Sequence, residues 1–422
     1  MRRIRQLTAR FVALGLVAAA ACGGGGDEPV TIFGPEVGPE LESMQAAFDT
    51  FTEESGIEVE VQGTRDFEAE IGPLVAGGTP PDIALFPQPG RVREFAGELR
   101  PLVDAVVTTA GENFDPGLTD VATIDGDLMA VPVKSDVKSL VWYSPAVFAA
   151  AGYDVPRTFD DFLALTDRMM ADGNPPFCIG IESGDASGWP MTDWIEDFML
   201  RTAGPDVYDR WYTHQIPFDA PEVVEVAQVV ADLWSQDGFI YGGRDAATVT
   251  SFADAGLPLL DGECMMHRQA NFFAANWPEG TELGPDGHVD AFYLPGSDEH
   301  PGILLTGGMY AAAFGDDDDV AGVMAFVAST EFANARAQQG TGFLSPNRNM
   351  DVEMYQDELT RHFGEILATA GPVRFDASDL MPGAVGSGAF WRAAIDITSG
   401  AEDVATAFAE VEELWPPDSP DG

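Results

Sequence analysis

Positive charge is scarce in this chain. Lysine occurs twice in 422 residues, at Lys134 and Lys138, and together with nineteen arginines it faces 70 acidic residues, for a formal net charge of −49. A field of that sign repels phosphate backbones and anionic headgroups, so nucleic acid is excluded as a partner. The five histidines, His214, His267, His288, His300 and His362, are scattered without metal-ligand spacing. No H-E-x-x-H, P-loop, G-x-G-x-x-G after a strand, or G-x-S-x-G occurs, so no catalytic residue, metal or cofactor is expected. Beyond residue 22 no stretch is apolar for the roughly eighteen residues that a membrane span requires.

The chain does not lack material for a core. It is 45% apolar and holds 27 Phe, 8 Trp and 8 Tyr, which argues against disorder. Its length corresponds to two or three domains. An acid-rich surface almost free of lysine suits solubility in salty water.

The N-terminus reads as an export signal. Arg2, Arg3, Arg5 and Arg10 precede an apolar run from Phe11 to Ala21 that is too short to span a bilayer. Ala19-Ala20-Ala21-Cys22 resembles a bacterial lipobox, with Cys22 as the acylated residue and membrane contact through that lipid; an ordinary secretory signal cut near Ala21 is the alternative. Residues 1–21 would then be signal, and 22–29 anchor and Gly-rich tether. Export leaves Cys178 and Cys264 as an even pair in an oxidising compartment. A disulfide closing that long loop stabilises by roughly 3–5 kcal/mol on the chain-entropy account; two buried free thiols are the other reading.

From Val30 the pattern alternates. Val30–Phe33, Ile57–Gln62 and Asp82–Phe86 read as strands, with helices over Glu40–Ser55 and Glu68–Ala76 between them. Short links between such elements mean an α/β layer with a mostly parallel sheet, whose ligands bind at the carboxyl ends of strands. Those ends are Gly34-Pro35-Glu36, Gly63-Thr64-Arg65-Asp66 and Pro87-Gln88-Pro89-Gly90. Extended chain is expected at Val131–Val133 and Leu140–Tyr143, and Thr158 caps a helix over Phe162–Met170. Further helices are expected at Trp194–Ala203, Pro221–Gln236, Asp319–Ala328, Glu331–Gln338, Met354–Leu367 and Ala401–Leu414. The acids Asp316–Asp319 lack the spaced ligands of a calcium loop and suit a helix N-terminus.

Three segments combine aromatics with acids and amides, the residue types that stack on sugar C–H faces and bond sugar hydroxyls. They are Glu182–Trp194 with Trp189 and Trp194, Met266–Gln269, and Arg374–Trp391. Core packing is the alternative for each tryptophan, weakened by their expected positions in loops beside Gly, Pro and Asp. Lys134 and Lys138 flank Ser135-Asp136, where a solvated strand face is the bland account.

Gly63–Glu68, Pro80–Gly90, Gly180–Gly184, Thr192–Asp197, His267–Gln269 and Phe375–Pro382 together resemble the extracellular solute-binding proteins of ATP-binding-cassette (ABC) importers. The likeness runs from about Val30 to Pro416 and is strongest to the carbohydrate-binding group (family 1), alpha-glucoside type. It implies a two-lobed periplasmic-binding-protein-like α/β fold of type II, with the ligand cleft between lobes joined by three crossing segments. Lobe one would be 28–136 plus 304–344, lobe two 140–300 plus 348–416, and 417–422 a tail. The crossings would fall near Ser135–Ser139, Gly302–Leu305 and Ser345–Asn347. The resemblance places Pro35, Glu36, Arg65, Asp66 and Gln88, with Gly307, Gly308 and Met309, on the lobe-one wall. Trp189, Asp193, Arg268, Asp376 and Trp391 would face them. Gln88-Pro89-Gly90 departs from the more polar segment of related maltose binders. The implied role is a monomeric, exported carrier that captures a carbohydrate and hands it to membrane permease subunits. A secreted carbohydrate-active enzyme, or the same fold holding a polyol, amino acid or peptide, are the competing readings; Arg65 keeps an amino-acid carboxylate open.

Overall fold

The computed structural model describes residues 28–416; the signal, Cys22 and the tail lie outside the described residues. A six-stranded sheet contains β1 (Val30–Gly34), β2 (Val59–Gly63), β3 (Ile83–Phe86), β4 (Ala130–Val137), β8 (Leu304–Ala313) and β9 (Val373–Phe375). β1 pairs in parallel with β2 and β3, from Val30 opposite Val59 to Gly34 opposite Gly63 on one side. β8 runs antiparallel to β3 and β4 and parallel to β9. The sheet is therefore mixed, because β8 returns from a distant part of the chain instead of through a helical crossover. Every residue of β8 is buried, as both its faces are covered.

A three-stranded antiparallel sheet has β5 (Leu140–Tyr143) between β6 (Met266–Arg268) and β7 (Asp290–Tyr293). Only Lys138 and Ser139 separate β4 in the large sheet from β5 in the small one. Ser139 ties this passage to the next: its Oγ donates to Asp197 at 2.7 Å and accepts from the Leu305 amide at 2.9 Å. Asn271 braces the same region, its Oδ1 accepting from the Val137 amide and its Nδ2 donating to the Gly342 carbonyl.

Helices expected at Trp194, Met354 and Ala401 begin instead at Trp189, Glu358 and Val404, while those with a clear end signal follow it. α1 (Pro39–Ser55) begins at a proline and ends at Gly56 with φ 81°, the left-handed C-cap that glycine adopts without penalty. α2 (Phe67–Ala76) and α3 (Pro89–Glu94) follow β2 and β3. Thr158 Oγ1 accepts from the Asp161 amide to cap Phe159–Ala171, and Asp317 accepts from the Val320 amide to open Asp318–Val327. The acid run is thus helix capping. α4 (Trp189–Thr202) is buried at all but its two end residues, and α5 (Trp391–Ser399) packs beside it. Four apolar clusters result among the described residues. One gathers Met44, Phe48, Ile83 and Phe332, and another Trp194, Phe198, Trp211 and Phe390.

Cys178 and Cys264 are joined, with Cα atoms 5.6 Å apart, in a cluster with Trp142, Phe273 and Trp277. The bridge spans 86 residues, for which chain entropy gives about 4–5 kcal/mol. Reduction, or Cys264→Ser, should lower unfolding free energy by about 3–5 kcal/mol in urea titrations. Two free thiols in the unfolded, unreduced protein would show instead that the bond does not form in solution.

Candidate functional site

The carboxyl ends of β1, β2 and β3 open into a cleft with a cavity of about 150 Å³. Pro35 and Glu36 follow β1, Arg65 follows β2, and Pro87 and Gln88 follow β3; Lys134 and Asp136 of β4 and Gly308 and Met309 of β8 complete this wall. Opposite stand Trp189, Phe252, Phe272, Asp376, Asp379 and Trp391. Trp189 is the first residue of α4 and Trp391 the first of α5, so neither lies in the loop expected for it. What aims Trp189 is Gly188 at φ 108°, where a Cβ would lie 2.1 Å from the Trp391 carbonyl oxygen. Only glycine lets the backbone entering α4 approach the Trp391 backbone this closely. Trp194 faces the other way and belongs to the core.

Each cation of the cleft sits over an aromatic ring. The Arg65 guanidinium lies 5.1 Å from the Phe252 centroid, Lys134 Nζ 5.3 Å from Phe272, and Lys138 Nζ 5.7 Å from Trp189. Both lysines are buried, at 6% and 8% exposure, which overturns the solvated-face account. Lys134 Nζ donates to Glu40 at 2.7 Å and Glu36 at 3.1 Å, and Arg336 Nη2 takes the other Glu36 oxygen at 2.7 Å. Burial raises the Glu36 carboxyl, but Arg336 and Lys134 outweigh it and hold the group below its ordinary value; burial wins at Glu40, which is raised.

Lys138 Nζ donates to Asp193 Oδ1 at 3.0 Å and to Asp376 Oδ2, with Asp379 at 3.9 Å. Burial pushes the Asp193 carboxyl up to about 7 against the pull of Lys138. Burial acts on Asp376 too, but Lys138 and the Ser378 hydroxyl hold it down to about 2. Burial and then Asp376 raise Glu196 and Asp379 well above the usual carboxylate range. Oxygens of Asp193, Glu196 and Asp376 come within 4.8 Å of one another, a spacing that suits a metal ion. Lys138 already bonds two of the three, and Glu196 accepts the Ala377 and Ser378 amides, so the cluster is an ion-pair network.

Of the residues proposed from sequence, Pro35, Glu36, Arg65, Gln88, Gly308, Met309, Trp189, Asp376 and Trp391 line the cleft. Asp66, Asp193, Arg268 and Gly307 do not. Asp193 lies behind Lys138, and Arg268 bonds Asp197 at 2.5 Å and the Asp193 carbonyl at 3.0 Å. A Cβ at Gly307 would lie 2.6 Å from Lys138 Cε, so this glycine makes room for the lysine stem. Asp66 is exposed at the rim, its Oδ1 2.5 Å from the position of a Cβ on Gly184. Sequence reading passed over Glu40, Glu68, Phe252, Phe272 and Asp379; the lysines carried a signal in their rarity alone.

Residues 36–339 match the family described as bacterial extracellular solute-binding protein. The chain belongs to that family. Among its relatives, the osmoprotective compounds-binding protein GgtB of Synechocystis sp. is 40% identical over 96% of this chain and 97% of its own length. The alpha-glucosides-binding periplasmic protein AglE of Rhizobium meliloti is 36% identical over 92% and 87%. The solute receptor AcbH, described as preferring β-D-galactopyranose, matches at TM-score 0.78 and 20% identity over 91% of this chain and 97% of its own. Maltose-bound T. maritima MalE3 matches at TM-score 0.70 and 20% identity, over 91% and 98%. These structures share the two-lobed type II fold. As a member of this family the chain is a solute-binding protein of an ABC importer and acts outside the cytoplasm. Among the described residues no helix is long and apolar enough to cross a membrane.

Removing Lys138 tests the network. Lys138→Met leaves buried carboxylates without a counter-charge and should cost about 3–5 kcal/mol at pH 8. Those carboxyls then bind protons more tightly folded than unfolded, so stability falls as pH rises and the deficit shrinks toward pH 5. Urea titrations at both values check it; an equal deficit would mean that lost packing dominates.

Proposed function

We propose that the protein captures a small neutral alpha-glucoside between two closing lobes and presents it to its permease. The observation that carries this is the facing of Trp189, Phe252 and Trp391 across the cleft from the polar strand ends at Glu36, Arg65 and Gln88. Rings offer faces for sugar C–H bonds, while carboxylates, amide and guanidinium bond the hydroxyls. Ligands named for GgtB and AglE, osmoprotective compounds and alpha-glucosides, support this class over amino acids.

The lobes on this reading are 28–136 plus 304–344 and 140–300 plus 348–416, hinged where Lys138–Ser139, Leu304–Leu305 and the chain after Leu344 run together. Closure carries Arg65 onto Phe252 and Lys134 onto Phe272, so ligand and cation–π contacts form in one movement. Cys22 acylation would hold a monomeric carrier at the membrane beside its permease.

An enzyme is disfavoured by the same geometry. Asp193 and Asp376 have carboxyls pushed apart in pKa, as an acid–base pair requires, but one ammonium bonds both and Asp193 is outside the lining. The test is a thermal-shift and calorimetric screen of residues 28–416 against alpha-glucosides of glucose, fructose and glycerol, with polyols and amino acids alongside. A melting rise with an alpha-glucoside and no product in the tube is expected. Trp189→Ala should weaken binding at least about tenfold, roughly 1.4 kcal/mol, with the apo melting temperature near wild type because Trp189 is half-buried at a helix end. Trp391, at 3% exposure, should also lose stability when truncated, by about 3–5 kcal/mol. A response to amino acids alone would discard the carbohydrate assignment.

A further inference from the structure

One end of the cleft is short of hydrogen-bond donors. Gln88 Oε1 and Trp391 Nε1 are buried there without a partner among the described residues. Glu68 Oε1 accepts only a long bond, 3.3 Å, from Gln88 Nε2. Asp379, on the helical turn Ala377–Leu380, lines the same end at 6% exposure. Its backbone amide donates to Asp376, yet among the described residues no N–H or O–H reaches its carboxyl.

The groups around Asp379 leave it without a counter-ion. On its own turn stands Asp376, which holds Lys138, the Ser378 hydroxyl and the Asp379 amide. From α4 come Asp193, bonded to Lys138, and Glu196, bonded to two amides of the turn. From α2 across the cleft comes Glu68, whose charge acts against ionisation of Asp379. α3 offers Arg91, but that guanidinium is paired with Glu94 at 3.4 Å and donates to the Glu68 carbonyl. In the helix Pro205–Tyr212, Tyr208 donates to the Phe375 carbonyl and Asp209 is held by Arg374 of β9. The Ala384–Phe390 segment has no ionisable side chain. Among the described residues Lys138 is thus the one cation within 4 Å, at 3.9 Å and already bonded to two other acids.

Carboxyls crowded around one ammonium do not all ionise; the proton settles where the anion is least solvated by donors. We propose that Asp379 binds the ligand as a neutral carboxylic acid, donating its O–H to a ligand oxygen, so that sugar capture is coupled to a protonated cleft. This rests on the carbohydrate reading given above. It turns an end made almost wholly of acceptors into a matched set: Asp379 and Trp391 donate, while Gln88 and Glu68 accept. A sugar hydroxyl, which does both, fits that set.

The experiment is calorimetry of the wild-type protein, Asp379→Asn and Asp379→Ala with whichever alpha-glucoside of glucose, fructose or glycerol binds wild type, from pH 5.5 to 9.5. Asp379→Asn keeps a donor and is expected to lose less than about threefold, against at least about tenfold for Asp379→Ala. Wild-type affinity should be level at low pH and fall by up to about tenfold per unit above the titration, because only the protonated form binds; the asparagine variant should show no such fall. Level wild-type affinity to pH 9.5 overturns the proposal, because an ionised Asp379 that only accepts would give the same profile and asparagine keeps an acceptor. Equal loss in both variants, or affinity that rises with pH, overturns it, since an ionised acceptor would behave so. Circular dichroism establishes that each variant is folded, and Asp379→Leu, close in shape and without a donor, replaces the alanine variant if that one is not. Silence of wild type toward every glucoside at every pH defeats the carbohydrate reading itself, an outcome distinct from loss in the asparagine variant alone.

Discussion

The structure turns on two buried lysines. In a chain of net charge −49 the only two lysines stand inside, four residues apart, in β4 and just beyond it. Each collects carboxylates from elements far away in sequence: Glu36 and Glu40 on one side, Asp193 and Asp376 on the other. Burying an ion is costly unless its partners are fixed around it. The arrangement of α1, α4 and the 376–380 turn about the β4–β5 passage is therefore specified by charge as well as by apolar packing. Arg268 and Arg201 extend the pattern, closing on Asp197 from two directions.

The same pairs shape the floor of the cleft. While held by carboxylates, the ammonium groups of Lys134 and Lys138 also lie over the rings of Phe272 and Trp189. The walls are then rings, amide and carboxyl, with Arg65 as the one cleft cation that forms no salt bridge among the described residues. Such a surface binds through many moderate contacts of mixed donor and acceptor type, which suits a polyhydroxylated solute better than an anion.

Much of this was legible in the sequence, for reasons that differ by level. Local rules placed β1 to β3, α1 and α2 within a residue or two, and Gly56, Thr158 and Asp317 end or cap α1, Phe159–Ala171 and Asp318–Val327 by interactions inside a few residues. Strand ends at Pro35, Arg65 and Gln88 follow from that alternation, as ligands lie at such ends in parallel α/β layers. What failed needed tertiary knowledge. Trp189 and Trp391 look like loop residues beside Gly188 and Gly388, yet each opens a helix. Asp193 and Arg268 have the side chains of a sugar site but turn to Lys138 and Asp197, and no periodicity distinguishes a carboxylate bound to an internal cation from one facing a ligand. Gly307 serves Lys138 by leaving space, a role visible only once that stem is placed.

Surface and cleft electrostatics also answer to different variables. The crowd of exposed acids repels itself through solvent, and salt at physiological strength or above screens that repulsion within about 8 Å. The buried pairs at Lys134 and Lys138 are out of reach of mobile ions, so salt changes them little. A protein built this way gains stability from a saline exterior while the polarity of its binding site stays constant. Mixing the two, with exposed lysines balancing the surface, would tie both to the same ionic strength. Confining lysine to the interior keeps solubility a property of the surface and ligand capture a property of the cleft, and leaves the proton as the small ion to which that cleft remains open.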